Sequence, residues 1–159
     1  MNTVAIIGSC DTKAREVAYM KELLEEWGLK GLVIDVATGP GPSSNYDISR
    51  EEVSKAAGVD WETMVPKTKG EKIDFMTKAV ALMTRKLYNE GKIQGILSAG
   101  GLQNTVMATS AMRTLPIGFP KVMATTVACG KKTFDLVVGD KDIVVIPSIC
   151  DFTGLNMVT

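Results

Sequence analysis

Short apolar runs that stop at small residues alternate along this chain with longer amphipathic stretches. "TVAIIG" (3–8) and "GILSA" (95–99) are two such runs, and their continuous apolar character is typical of strands buried on both faces of a parallel sheet. Strands that alternate with helices at this spacing predict a doubly wound α/β fold with a mostly parallel sheet. The other strands are expected at 31–36, 120–126 and 142–148, and 133–138 is a further candidate element.

The intervening stretches carry helix signals. "SREE" fits a capping box with Ser49 as the N-cap, and this helix should end near Gly58. Longer helices are expected over 71–89 and 104–114, whereas 37–47 and 59–70 read as irregular. The first helix should start at Asp11 or Thr12, stop at Gly28, and place these residues on one apolar face: Val17, Met20, Leu23, Leu24 and Trp27.

Chain length, charge and hydropathy indicate a single-domain protein without a membrane span or a bulk attraction to nucleic acid. A chain of 159 residues is expected to form a single domain. Eighteen basic residues balance eighteen acidic ones, so no net charge attracts nucleic acid or anionic lipid. No apolar run approaches about 18 residues, so no membrane span is expected. The start, "MNTVAIIGSCD", lacks the basic region of a signal peptide, which makes the cytoplasm the expected location.

The chain contains no histidine, which excludes the usual zinc sites and both Ser–His and Cys–His catalysis. A general base would have to be Asp11, Asp151 or a lysine with a shifted pKa. Three cysteines (Cys10, Cys129 and Cys150) are an odd number without a CxxC pair. We interpret them as small buried residues in a reducing compartment.

Open α/β sheets bind ligands at the carboxyl ends of their strands, so the residues after each strand are the candidates. "GSCDTK" follows the first strand and "SAGGLQNT" ends the third, where it leads into a helix N-terminus suited to phosphate. "TTVACGK" and "SICDFTGLN" follow the last two strands. These loops would share one edge and predict a ligand-binding cleft.

Each loop also has an explanation without a ligand. Asp11 and Thr12 could cap the first helix, and Gly100 with Gly101 could form a tight turn. Lys13 could be a solvated surface cation and Asp151 the cap of a following turn. Neither loop matches GxxxxGK[ST] or GxGxxG, so spacing alone identifies no ligand.

Four segments together resemble the UPF0261 family of Tm-1-like ATP-binding proteins. They are "GSCDTKAREVAYM", "DISREEVSKAAG", "GILSAGGLQNTVMATSAMRTLPIGFPKVMATTVACG" and "DIVVIPSICDFTGLN". They cover nearly the whole chain in the family's order. The resemblance implies a Rossmann-like, nucleotide-binding α/β domain over 1–159, the N-terminal part of a longer two-domain architecture. It also implies ATP, with or without Mg²⁺, as the ligand, and self-association into a homo-oligomer such as a dimer.

Carried over position by position, the resemblance implies a cofactor site built from the loops named above. Its residues are Gly8, Ser9, Asp11, Thr12, Lys13, Gly100, Gly101, Asn104, Thr105, Thr125, Thr126 and Gly130, with Cys129, Asp151, Gly154, Leu155 and Asn156 in the same motifs. One loop departs from the family, which usually reads close to "GGSGGT" where this chain has "GGLQNT". The change removes a hydroxyl and some backbone freedom, which predicts weaker phosphate binding or a different ligand.

Three functions therefore stand side by side. The first is a nucleotide-binding domain for ATP. The second is a non-catalytic regulatory or interaction module whose cleft controls assembly. The third is half of an enzyme acting on a phosphorylated or carboxylated metabolite, completed by a second domain.

Overall fold

The computed structural model describes residues 1–128 and 137–148. Within them, five strands and four α-helices follow one another in βα order, with one 3₁₀ turn at Trp61–Thr63. The strands are β1 (Thr3–Gly8), β2 (Lys30–Asp35), β3 (Gly95–Gly100), β4 (Lys121–Thr125) and β5 (Val144–Pro147). The helices are α1 (Ala14–Glu26), α2 (Arg50–Ala56), α3 (Lys69–Asn89) and α4 (Leu102–Arg113).

All five strands are parallel and lie in the order β2-β1-β3-β4-β5. This is one of the two common strand orders of doubly wound sheets, and it confirms the predicted Rossmann-like α/β fold. The chain leaves β1 for β2 on one side and later returns to β3 on the other. The crevice between the carboxyl ends of β1 and β3 is therefore the topological switch point, where such sheets bind their ligands.

Helices pack on both faces of the sheet. We call face one the side covered by α2, α3 and α4, where helix residues such as Met76 and Met107 bury Ala5 and Ile96. Face two is the opposite side, where Val17 of α1 packs with Ile6 and Val33. Most of the core lies on face one, and α1 contacts β1 and β2.

The first helix stops before Gly28 as predicted, but it differs from the prediction in its start and in how much of its apolar face is buried. It begins at Ala14 rather than at Asp11 or Thr12, because residues 9–13 form a turn in which Ser9 O accepts from the backbone N–H of Lys13 at 2.9 Å. Its apolar stripe is also wider than the face it buries. Leu23 is 37% exposed and Trp27 is 81% exposed, so the predicted apolar face is only partly buried.

Two helices begin in capping boxes. The predicted box of Ser49 and Glu52 opens α2, as expected. Thr68 and Glu71 form a second box, which sequence analysis overlooked although the same S/T-x-x-E pattern is present, and it starts α3 two residues earlier than predicted. The fourth helix also starts two residues early, at Leu102.

The last described strand, β5, lies at the edge of the sheet, and Pro147 ends it opposite Thr125. This confirms the expectation that Pro147 stands at an edge or strand end, where its missing N–H costs no ladder bond. The candidate element at 133–138 falls mostly outside the described residues. Over the part of the chain that is described, no helix is long and apolar enough to cross a membrane.

Candidate functional site

The loops after β1 and β2 are tied together by one buried carboxylate. Asp35 closes β2 and is fully buried, and its Oδ1 accepts from the N–H groups of Cys10 at 3.0 Å and Ala37 at 2.9 Å. Its Oδ2 has no hydrogen-bond partner within the described residues. Sequence analysis did not select Asp35, although a lone acidic residue closing an apolar strand is a signal that a buried polar contact is needed.

A second carboxylate joins the same two loops. Asp11 accepts from the N–H of Gly39 through Oδ2 at 3.2 Å, and an added Cβ on Gly39 would lie 2.4 Å from that oxygen. Asp11 therefore holds the 37–47 loop and does not cap α1, whose N-cap residue is Lys13 without a side-chain cap. The capping explanation for Asp11 and Thr12 is wrong.

The loops after β3 and β4 are joined by hydroxyl groups. Thr105 and Thr125 are fully buried, and their Oγ1 atoms lie 2.7 Å apart. Thr126 donates its N–H to Gly100 O at 3.4 Å. These predicted site residues thus lie side by side, but the two buried hydroxyls are already used in binding one loop to the other.

A polar relay links the β3 loop to β1 across the switch point. Asn104 donates its side-chain N–H to Ser98 Oγ at 2.9 Å and to Ala99 O at 3.0 Å, and Ser98 donates to Ile7 O at 2.7 Å. Asn104 is only 7% exposed, and its Oδ1 has no partner among the described residues. The side chain that replaces a family glycine is therefore turned into the protein.

The glycines of the two loops serve different purposes. An added Cβ on Gly8 would lie 2.4 Å from Val17 Cγ2, so this glycine lets α1 approach the sheet closely. An added Cβ on Gly100 would lie 2.9 Å from Asn104 Cβ. Gly101 is different because an added Cβ would meet nothing nearer than Thr126 Oγ1 at 3.8 Å. The backbone around Gly101 is the open part of the turn.

Helices α1 and α4 both start at the switch point without a side-chain cap. Lys13 is the N-cap of α1 and Gly101 is the N-cap of α4, and neither forms a side-chain cap hydrogen bond. The first N–H groups of a helix have no partner within the helix and carry about half a positive charge. Two such N-termini after neighbouring strands place partial positive charge and N–H donors on the same edge of the sheet.

Charged and hydroxyl side chains surround the start of α1. Lys13 Nζ lies 3.5 Å from Glu16 Oε1, Thr12 is exposed and Ser9 is half-buried. These residues are on the predicted edge. The remaining predicted residues lie outside the described part of the chain: Gly130, Cys129, Asp151, Gly154, Leu155 and Asn156.

The buried thiol at this edge is not a nucleophile. Burial, reinforced by the negative charges of Asp35 and Asp11, raises the pKa of the Cys10 thiol from 9.0 to about 12. A thiol with that pKa stays protonated at neutral pH. Its burial confirms the interpretation of Cys10 as a core residue. Across residues 1–128 and 137–148, no three Asp, Glu or Cys side chains cluster to hold a metal ion.

A separate groove of about 850 Å³ lies at the opposite, amino-terminal edge of the sheet. Tyr88 and Phe119 line it with rings 5.4 Å apart, and the exposed Ile117 stands beside them. Near this edge the fully buried Lys121 donates to Asp142 Oδ1 at 2.6 Å. This hydrogen bond and the one from the Gly118 N–H lower the pKa of the Asp142 carboxyl. No predicted site residue lines the groove.

Known proteins resemble the chain over nearly its whole length. A family model described as the N-terminal domain of the uncharacterised protein family UPF0261 matches residues 2–159. A UPF0261 protein of Clostridium tetani is 36% identical over 96% of the chain, and one of Rhizobium meliloti is 33% identical over all of it. The ToMV susceptible protein tm-1 of Solanum lycopersicum is 31% identical over 98% of the chain.

These relatives are much longer than the matched region. The chain spans 38% of the Clostridium protein, 39% of the Rhizobium protein and 22% of the tomato protein. The match nevertheless includes every strand and helix of the sheet described above. The chain therefore belongs to the UPF0261 family and corresponds to its N-terminal domain.

Proposed function

We propose that this domain binds a nucleotide, ATP in the first place, at the carboxyl edge of the sheet. The observation that carries the proposal is the pair of uncapped helix N-termini, α1 and α4, which begin on either side of the β1/β3 switch point. Both helices exceed ten residues, so each has a full dipole and a complete first turn of N–H donors. Phosphate groups are the ligands that such donors suit best.

The phosphates would lie against the first turn of α4. Gly101 is in an extended conformation (φ −78°, ψ −169°) and has open space where a side chain would begin. Two of the three residues that depart from the family pattern leave this space open, because Asn104 is turned inward and Leu102 is 62% exposed. The loop thus retains its N–H donors, while the lost serine hydroxyl reduces the number of contacts.

The loop after β1 would supply a positive charge and would hold the binding site in shape. Lys13, at the start of α1, would place a cation beside the phosphates, and its amine lies 3.5 Å from Glu16 Oε1. Asp11 and Asp35 would position the loop rather than touch the ligand, because both accept backbone hydrogen bonds. Thr105 and Thr125 would likewise hold the turn before α4 in place through the hydrogen bond between their hydroxyl groups. Magnesium, where it accompanies ATP, would be held chiefly by the phosphates and water.

The proposal places the domain in the cytoplasm, which supplies ATP and keeps a thiol such as Cys10 reduced. Self-association remains part of the proposal, and the exposed Ile117 at the amino-terminal groove is a candidate contact for it. With no charge excess, nucleic acid is not a proposed partner.

A thermal-shift screen tests the proposal directly. The chain would be melted with ATP, ADP, sugar nucleotides, inorganic phosphate and small carboxylates, each with and without Mg²⁺. A ligand at one hundred times its dissociation constant adds about 2.7 kcal/mol to the free energy of unfolding. We expect nucleotides to raise the melting temperature most. A response to small phosphates or carboxylates alone would favour the half-enzyme function instead.

Two lysine variants locate the site. Lys13→Ala should reduce the ATP-dependent shift, because it removes the cation at the start of α1. Lys92→Ala is the matched control, since Lys92 is also paired with a glutamate, Glu90 at 2.7 Å, but lies just before β3 at the opposite edge. Equal shifts in both variants, or no shift with any nucleotide in the folded wild-type chain, would contradict the proposal.

A further inference from the structure

The described residues cover face two of the sheet over only part of its width. Val17 of α1 packs on β1, where it contacts Gly8, and the stem of Lys21 lies against Gly31 of β2. The helices α2, α3 and α4 pack on face one. Within residues 1–128 and 137–148, no helix lies on face two over β3, β4 and β5.

The uncovered strip is apolar in every position. Register pairs Leu97 with Val122 and Val122 with Val144, which places these three side chains on one face. Val145 packs into the face-one core, so its neighbours on β5 point to face two. We call this strip the open half-face, and it consists of Leu97, Ala99, Val122, Ala124, Val144 and Ile146.

Exposure confirms that the strip is not packed as a parallel sheet requires. Val144 is 58% exposed and Ile146 is 50% exposed, while the β3 and β4 members are half-buried. Parallel sheets are almost always covered on both faces, because their strands carry apolar side chains in both directions. The strip is small, but its position on a parallel sheet, where helices normally cover both faces, indicates a contact with other polypeptide.

One exposed residue of α1 borders the same strip. Lys21 lies on the β2 side of Val17. At 100° per residue, Trp27 lies about 80° from Val17 on the opposite side of the helix, toward β3, whereas Leu23 lies about 120° from it and faces away from the sheet. The 81% exposure of Trp27 has a simple cause if a further element packs between α1 and the open half-face.

The dimensions favour one helix over a second copy of the chain. Three strands about 4.8 Å apart and five residues long give roughly 15 Å by 17 Å, or about 250 Å² in projection. A stable protein interface buries about 800 Å² per partner. A single helix of about 12 residues is about 18 Å long and 10 Å wide, and it fits the strip beside α1.

We propose that the open half-face is the docking site for one amphipathic helix from the polypeptide that follows this domain in its relatives. Those relatives are more than twice the length of the matched region, so they contain the chain needed to supply it. The docked helix would run alongside α1, bury Trp27 at one edge, and present an apolar stripe about 100° wide to the strands. It would complete the second helical layer that a doubly wound sheet needs.

Thiol labelling tests the proposal. Val144→Cys would be reacted with iodoacetamide in the 159-residue chain and in the same chain extended by the polypeptide that follows the matched region of the Clostridium tetani relative. Peptide-resolved mass spectrometry reads each thiol separately from the native cysteines. Leu82→Cys on α3 is the matched control, because Leu82 is 55% exposed on the other side of the molecule.

We expect position 144 to react at least roughly tenfold more slowly in the extended chain, with position 82 unchanged, because a docked helix must open before the thiol can react. Equal rates at position 144 in both folded chains would overturn the proposal. Protection in the 159-residue chain together with a dimeric mass by light scattering would also overturn it, in favour of a second copy.

A second measurement needs no chimeric chain. Hydroxyl-radical footprinting of the full-length Clostridium tetani relative reports directly on the residues aligned with Val122 and Val144. The proposal requires both to be protected from oxidation in the intact protein. Oxidation at the rate of exposed aliphatic residues would overturn it, whatever the extended chain does. Neither measurement depends on nucleotide binding, so its outcome is separate from the proposed function.

Discussion

The four described helices, α1 to α4, begin in two contrasting ways. Helices α2 and α3 open in complete capping boxes. The side-chain oxygens of Ser49 and Thr68 accept from the backbone N–H groups of Glu52 and Glu71, and the two glutamate carboxylates accept from the backbone N–H groups of Ser49 and Thr68. Helices α1 and α4 open at Lys13 and Gly101 with no side-chain cap. The capped starts belong to the crossover between β2 and β3, and the uncapped starts follow the strands at the switch point.

Among these helices, a side-chain cap is missing because of where the helix starts in the fold, and not because the sequence lacks a capping residue. Ser9, Asp11 and Thr12 are all good N-cap residues, and they stand immediately before α1. The backbone nevertheless turns so that Asp11 binds Gly39 and Lys13 occupies the cap position. Donors left open beside available cap residues are what an anion site requires.

The largest effect is expected where packing holds an uncapped helix in place. Gly8→Ala puts a methyl group 2.4 Å from Val17 Cγ2, and such overpacking should lower the free energy of unfolding by about 2 kcal/mol. Urea denaturation measures this loss. Adding Val17→Ala should recover part of it, because the clash disappears. If Gly8→Ala were as stable as wild type, close packing would not be the role of this glycine.

Loss of a cap should weaken the two capped helices. Ser49→Ala and Thr68→Ala each remove one side-chain acceptor from a helix N-terminus, so each should cost about 1 kcal/mol in a denaturant titration. The shift that ATP produces in the melting temperature should stay the same in both variants. A smaller ATP-dependent rise in melting temperature in either variant would indicate that ATP binds near α2 or α3, which would contradict a site at α1 and α4.

A side-chain cap on α4 should stabilise the free protein and abolish its binding of ATP. Gly101→Asp has room for its side chain and places a carboxylate on the first turn of N–H groups. We expect the free protein to gain about 0.5 kcal/mol from the cap and the helix dipole, and to lose its response to ATP. Gly101→Ala is the control, since it fills the same space without an acceptor and should keep the response.

The smallest expected effect is on pH dependence. Hydrogen bonds from Thr68 lower the pKa of the Glu71 carboxyl below 4.5 in the folded state. The carboxylate therefore stabilises the fold above its ordinary pKa, and this contribution disappears as the pH falls through the folded value. Glu71→Gln should show a smaller loss of stability between pH 7 and about pH 3. If urea titrations gave Glu71→Gln and wild type the same loss of stability at acid pH, the Glu71 carboxylate would not stabilise the fold in this way.

Local pattern was enough to predict most of the fold. The strand at 3–8 has the predicted bounds, and no end of β2, β3, β4 or β5 differs from the predicted bounds by more than two residues. Alternation with helices identified the doubly wound class because βαβ units leave few other arrangements. The missed start of α3 was also local, since Thr68 and Glu71 repeat the spacing recognised at Ser49 and Glu52.

The site was less predictable because its bonds join distant residues. Asp35 binds Cys10 across 25 positions, and Thr105 meets Thr125 across 20. Sequence placed these loops on one edge but could not distinguish hydroxyls used between loops from those facing a ligand. It also could not show that Leu23 and Trp27 stay exposed, because that depends on which strands α1 covers.

Backbone amide NMR during a titration with ATP is the sharpest test of phosphate binding at the uncapped helix starts, because it reads the first N–H groups of α1, α2, α3 and α4 at once. We expect the largest chemical-shift changes on the first turn of α4 (102–104) and of α1 (14–16), with the resonances of 50–52 and 69–71 unchanged. Shifts centred on the capped turns or on the groove at Tyr88 and Phe119, or no shifts at all, would contradict it.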